Sequence, residues 1–130
     1  IVHCHGWMSA LIPVYLKKAF KDNPLFSDSK IIVSLYDDDF DSVFRSGLDK
    51  KMRLPGIAAK DVKSIKSANY VNLMKLAIDF SDGIIYGSEK INDELDKYVK
   101  SLKKPVLEYQ SPDNYVDAYN NFYDSILIEK

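Results

Sequence analysis

Lys30-Ile31-Ile32-Val33-Ser34-Leu35-Tyr36 is the stretch that decides the class of fold. It is apolar almost without a break rather than alternating, which is the pattern of a strand in a parallel sheet covered on both faces. Upstream, Ile1 to His5 reads as a second short buried strand. Between the two, Ile12, Tyr15, Leu16 and Ala19 recur at the i, i+3, i+4, i+7 spacing of an amphipathic helix. Pro13 belongs in or near the first turns of that helix, where a missing N–H is tolerated, and Asn23-Pro24 closes the unit. The chain therefore opens as β-α-β.

Downstream, the pattern from Asp37 to Ser67 weakens into short pieces around Gly47 and Pro55-Gly56. This predicts a long irregular excursion with one short helix, and loops of that length are often functional. Regularity returns from Ala68 to Ser81, with Val71, Met74 and Ile78 on one helical face, followed by Asp82-Gly83 and the strand Ile84-Ile85-Tyr86. Ser88 is expected to cap the next helix, whose apolar face carries Ile91, Leu95, Tyr98, Val99 and Leu102. A strand from Pro105 to Tyr109 leads to Ser111-Pro112-Asp113, a hydroxyl, proline and acid in the order that starts a helix. Tyr115, Ala118, Tyr119, Phe122 and Ile126 mark the buried face of that last helix. Strands alternating with helices at this spacing predict an α/β fold, a Rossmann-like parallel sheet with flanking helices and right-handed crossovers.

A length of 130 residues, 46% of them hydrophobic and 28% charged, fits one domain spanning 1–130 with a sizeable core. Eighteen Lys and Arg against nineteen Asp and Glu leave a formal charge of −1, so neither nucleic acid nor an anionic membrane is an expected partner. The longest uncharged stretch, Ile1 to Leu16, contains two histidines, Gly6, Ser9 and Pro13 and falls short of the ~20 apolar residues of a membrane span. Cys4 is the sole cysteine, which rules out an internal disulfide framework and suits a reducing, cytoplasmic setting. The sequence starts without Met, directly in Ile1-Val2, and is expected to be part of a longer protein.

Candidate chemistry gathers where the strands end. His3 and His5 are two apart and share a strand face at the carboxyl edge, where parallel sheets place their ligand sites. A metal there needs further ligands, and the nearest in sequence are Asp37 and Asp39, a D-x-D spacing read first as a solvated acidic turn because the other oxygen ligands of a cation site are not visible. No metal or other cofactor is therefore expected. Trp7 either offers its ring to a sugar or plugs the sheet edge, and Lys75 either faces solvent or meets an anionic partner. Glycine-rich phosphate loops and a G-x-S-x-G elbow are both absent from the sequence.

The run Ile1-Val2-His3-Cys4-His5-Gly6-Trp7-Met8-Ser9-Ala10-Leu11-Ile12-Pro13-Val14-Tyr15-Leu16-Lys17 resembles the H-x-H-D-W-x-[TSA]-x-L-x-P-x-Y-L segment of bacterial glycogen and starch synthases. Asn72 to Ile78, and Ser81-Asp82-Gly83-Ile84-Ile85-Tyr86-Gly87-Ser88, resemble that family's N-x-x-K-x-x-[IL] helix, its A-D-x-[IV] strand and the serine after it. The resemblance covers residues 1 to about 95 and is closest to the short glycogen-synthase-like proteins of Bacteroidetes. It implies part of the N-terminal, acceptor-side half of a GT-B fold, with ADP-glucose and an α-1,4-glucan acceptor as substrates.

Two departures bear on activity. Gly6 stands where the family motif has an aspartate, and Tyr36 stands where the family strand T-[VI]-H-N supplies a histidine. After Ser88 the sequence shows neither the N-G-[IV]-D linker nor the second domain that holds most of the ADP-glucose site. A glycosyltransferase-type domain with little independent activity is expected, and a non-catalytic module binding a glucan or a protein partner is the alternative. In a parallel sheet, His5, Trp7, Tyr36 and Ser88 should cluster along one edge, with His3 and Lys75 as further candidates.

Overall fold

The computed structural model describes residues 1–129, and Lys130 lies outside the described residues. Strands β1 (Val2–His5), β2 (Ile31–Leu35), β3 (Gly83–Tyr86) and β4 (Val106–Leu107) form one parallel sheet in the order β1-β2-β3-β4. The register sets Cys4 opposite Val33, Val33 opposite Ile84, and Ile84 opposite Val106. Every residue of β2 and β3 is buried, as the unbroken apolar run predicts.

Alternation along the strands divides the core in two. Cys4, Val33, Leu35, Ile84 and Tyr86 face helices α1 (Ile12–Val14), α3 (Tyr70–Asp79) and α4 (Asp93–Ser101) through Val14, Leu73, Met74, Ala77, Leu95 and Val99. Ile32 and Ile85 face the other way, onto Phe122 and Ile126 of helix α5 (Tyr115–Ile128). The strand order equals the chain order and the crossover helices share one face, so all three crossovers have the same hand.

Local chemistry sets the helix ends. Pro13 sits in the first turn of α1, which continues as a π-helical turn over Tyr15–Ala19, where the Phe20 N–H donates to the Tyr15 carbonyl at 2.9 Å. Asn69 caps α3 by accepting from the Asn72 N–H at 2.8 Å. At the far end of α3 the Lys104 ammonium donates to the carbonyls of Ile78, Asp79 and Ser81 at 2.8, 2.7 and 2.7 Å, placing a cation on the negative end of the helix dipole. Asp82 pins the amino edge of the sheet: Oδ2 accepts from the Ile31 N–H and from the Lys17 ammonium, both at 2.7 Å.

Four expectations are corrected. The excursion from Asp37 to Ser67 carries two helical pieces, α2 (Leu48–Lys51) and a 3-10 segment (Ala59–Lys66), rather than one. Asn92, not Ser88, caps α4, accepting from the N–H groups of Glu94 and Leu95 at 2.9 and 3.2 Å. Ser111 starts the last turn sequence through its carbonyl, since its hydroxyl is taken by the Asn114 side-chain amide at 3.1 Å, and regular helix begins only at Tyr115. Along α5, Phe122 and Ile126 are buried but Tyr115 is exposed.

Gly83 lies within β3 because α5 leaves no room for a side chain. A Cβ there would stand 2.9 Å from Ile126 Cδ1 and 3.1 Å from Phe122 Cζ. Gly83→Ala is expected to destabilise the fold by about 1–3 kcal/mol through overpacking, measured by urea denaturation. Adding Ile126→Val, which deletes the colliding methyl, should recover part of that loss, although Ile126→Val alone should cost about 0.5–1.5 kcal/mol.

Candidate functional site

The carboxyl edge is where β1 and β2 release their chain into polar structure. His5 ends β1 and Gly6 follows at φ 68°, ψ −171°, a conformation open to glycine alone. The chain then turns into the short 3-10 segment Trp7–Ser9. The space above Gly6 belongs to Asp38: a Cβ on residue 6 would lie 2.6 Å from Asp38 Oδ2. That oxygen accepts from the Trp7 N–H at 3.3 Å, and Oδ1 accepts from the Tyr70 hydroxyl at 2.6 Å. Burial, and next the Asp38 carboxylate, push the Tyr70 phenol far above its ordinary range, so it stays a donor. A carboxylate from the loop after β2 thus stands beside a position that has no side chain of its own.

His3 and His5 project from the same face of β1 and stack at 3.9 Å between ring centroids, 27° from parallel. His3 Nδ1 lies 2.6 Å from the Tyr123 hydroxyl of α5, and its Nε2 lies 2.7 Å from Ser34 Oγ of β2. A neutral imidazole has one donor and one acceptor nitrogen, and these two hydroxyls satisfy both. Burial, with His5 alongside as the second cause, pushes His3 down to about 4. His5 Nδ1 meets the Tyr36 hydroxyl at 2.7 Å.

Tyr36 is in turn seated on Gly87, where a Cβ would come within 2.8 Å of its ring carbons Cδ1 and Cζ. The ring bridges the ends of β1 and β3. Ser88 joins this edge by accepting from the Asp37 N–H at 3.1 Å.

Trp7 and Lys75 depart from the expected cluster. The Trp7 ring turns away from the histidines to pack on Phe40 and Phe44, at 5.1 and 6.1 Å, where it lines a 140 Å³ apolar groove with Met8, Leu11 and Leu48. Apolar burial against the excursion wins over the open edge. Lys75 sits across the sheet from His3, paired with Glu94 at 3.2 Å and lying 5.1 Å from the Tyr98 ring centroid, so it braces α3 against α4. Asp39 accepts from the Asn92 side-chain amide at 2.7 Å. Among the described residues no group of three or more His, Cys, Asp or Glu side chains converges as a metal site. Cys4 points into the opposite core, where burial raises its thiol pKa and quenches its reactivity.

Several participants escape sequence reading. Tyr70, Tyr123, Ser34 and Gly87 reach the edge from separate elements, and only Tyr123 carries a signal, its spacing four residues beyond Tyr119 on the last helix. The edge as built offers ring faces, phenol hydroxyls and neutral imidazole, with its one inner carboxylate already hydrogen-bonded. Such a surface suits a hydroxyl-rich neutral ligand better than a phosphate.

Residues 1–104 match the family model described as the starch synthase catalytic domain. Relatives include the glycogen synthase of Aeromonas salmonicida, 30% identical over 95 residues, covering 73% of this chain and 19% of that protein. The glycogen synthase of Thermotoga petrophila is 31% identical over 117 residues, 88% of this chain and 24% of that protein. That of Fervidobacterium nodosum is 33% identical over 82 residues, 63% of this chain and 17% of that protein. The chain thus spans about a sixth to a quarter of the length of the curated relatives it matches. No solved structure matches it significantly.

The buried His3 makes stability depend on pH. Its folded pKa of about 4 lies below the ordinary 6.5, so the unfolded chain binds this proton first. The His3 contribution is complete above about pH 6.5 and is lost as the pH falls from there towards 4. Urea midpoints for the wild type should fall across that window, and His3→Asn should flatten the slope; an unchanged slope would refute the assignment.

Proposed function

This chain belongs to the glycogen and starch synthase family of glycosyltransferases, and from that premise we propose that it is the acceptor-side, Rossmann-like part of a GT-B transferase that holds an α-1,4-glucan at its carboxyl edge. The family reaction, carried over as part of this proposal, moves glucose from ADP-glucose to the non-reducing end of the glucan with retention. Such chemistry relies on electrostatic groups arranged between two domains. The 130 residues considered by themselves are proposed to turn over little or no ADP-glucose.

The observation that carries this reading is the state of the edge. Tyr36 packs against Gly87 and is held by His5, and Gly6 brings no acid. The Tyr36 phenol, held by the His5 ring, stands where the resemblance places an imidazole. The second reading, a non-catalytic module holding a glucan or a protein partner, draws on the same aromatic edge. We place the protein in the cytoplasm on its single buried thiol; no described helix is long and apolar enough to cross a membrane.

Labelled ADP-glucose and glycogen incubated with the purified chain should give transfer at least about a hundredfold slower than a complete synthase, the scale of losing one general acid or base. Turnover matching a complete synthase would restore the full enzyme reading.

A further inference from the structure

Helix α5 begins beyond residue 104, where the match to the family model ends. Its sequence sets Tyr115, Tyr119 and Tyr123 four residues apart, so they line one side of the helix in a column of about 12 Å. Their rings meet edge to face at 5.5 and 6.3 Å. Beside this column stands a second, the stacked His3 and His5 of β1, extended by Tyr36 at 6.1 Å from His5. His3 ties the two together, 5.9 Å from Tyr119 and 5.7 Å from Tyr123.

Six rings from three separate elements thus form one patch. Tyr115 is 46% exposed and His5 is exposed, whereas Tyr119 and Tyr36 are half-buried. The Tyr123 and Tyr36 hydroxyls are engaged by His3 and His5. Those of Tyr115 and Tyr119 make no hydrogen bond among the described residues, which leaves two phenols able to donate and accept outward.

The chemistry of the patch selects its ligand. It contains no lysine, arginine or carboxylate side chain, so it lacks the fixed cation that a phosphate or an acidic peptide needs. An aliphatic partner is poorly served by a surface so rich in hydroxyls. A neutral chain whose units each present a C–H face and a rim of hydroxyls matches both the ring faces and the phenol edges.

We propose that this patch, centred on Tyr115 and Tyr119, is a binding surface for a segment of α-1,4-glucan, distinct from the apolar groove beside Trp7. It rests on the glucan reading above and adds to it a site centred on a helix outside the family match. Rings fixed by mutual packing lose little freedom on binding, so a weak ligand can be held without rearrangement.

The test is titration of the isotope-labelled full chain with maltoheptaose, followed by NMR, in the wild type and in Tyr115→Ala, Tyr119→Ala and Tyr119→Phe. Shifts are expected at Tyr115, Tyr119 and His5. The alanine variants should bind about tenfold more weakly, equivalent to about 1.4 kcal/mol, and Tyr119→Phe should fall between, since it keeps the ring. Tyr115 is exposed, so its alanine variant stays informative even if Tyr119→Ala unfolds. Alanine variants that bind as the wild type does would overturn this site and leave the glucan reading standing, whereas shifts confined to Trp7, Met8 and Phe44 would overturn both placements, the patch and the carboxyl edge, in favour of the apolar groove. No shift anywhere would overturn this site and the glucan reading together. Spectra that change with protein concentration at these tyrosines, and not with sugar, would assign the patch to a second copy of the chain instead.

Discussion

Burial of β2 and β3 on both faces is the constraint from which the rest of the structure follows. Ile31, Ile32, Leu35, Ile84 and Ile85 are fully enclosed, and a parallel pair so enclosed has no lateral surface on which to display chemistry. One layer, α1, α3 and α4, covers the first face, and α5 covers the second. Polar groups are therefore driven to the ends of the strands. At the amino edge they serve structure, as Asp82 and Lys104 do by satisfying backbone groups. At the carboxyl edge they meet as a surface.

That surface is built by mutual exclusion between backbone and side chain. Gly6 leaves a space that the Asp38 carboxylate fills, and Gly87 leaves one that the Tyr36 ring fills. In each case a glycine on one strand end admits a side chain from the loop after β2. The result is an edge of phenols, two stacked imidazole rings and a carboxylate already engaged by Trp7 and Tyr70. The stack of His3 on His5 is held by Tyr123 and Ser34 on the two nitrogens of His3 and by Tyr36 on Nδ1 of His5, and burial keeps the His3 ring neutral at 3.9 Å from its neighbour.

Legibility followed the range of the interactions. The runs Ile1–His5 and Lys30–Tyr36 and the spacing of Leu95 and Val99 announce strands and a helix because hydrophobic periodicity is a local property. Helix starts were less legible, since Ser88 and Asn92 are both able caps and the choice fell to the Asp37 N–H, which claims the serine hydroxyl from a distant loop. The H-x-H pair was readable as a shared face, but not the partners of its nitrogens, which come from 31 and 120 residues away.

The sequence by itself determined the parallel α/β architecture and the family, since each is carried by pattern and residue identity. Tertiary structure alone decided which side chains share a site. It moved Trp7 into an apolar groove, used Lys75 to brace two helices, and set the tyrosines of α5 beside the histidines of β1. The reason is physical: a side chain's role depends on which competing burial and hydrogen-bonding options reach it, and those options come from elements far apart in the chain.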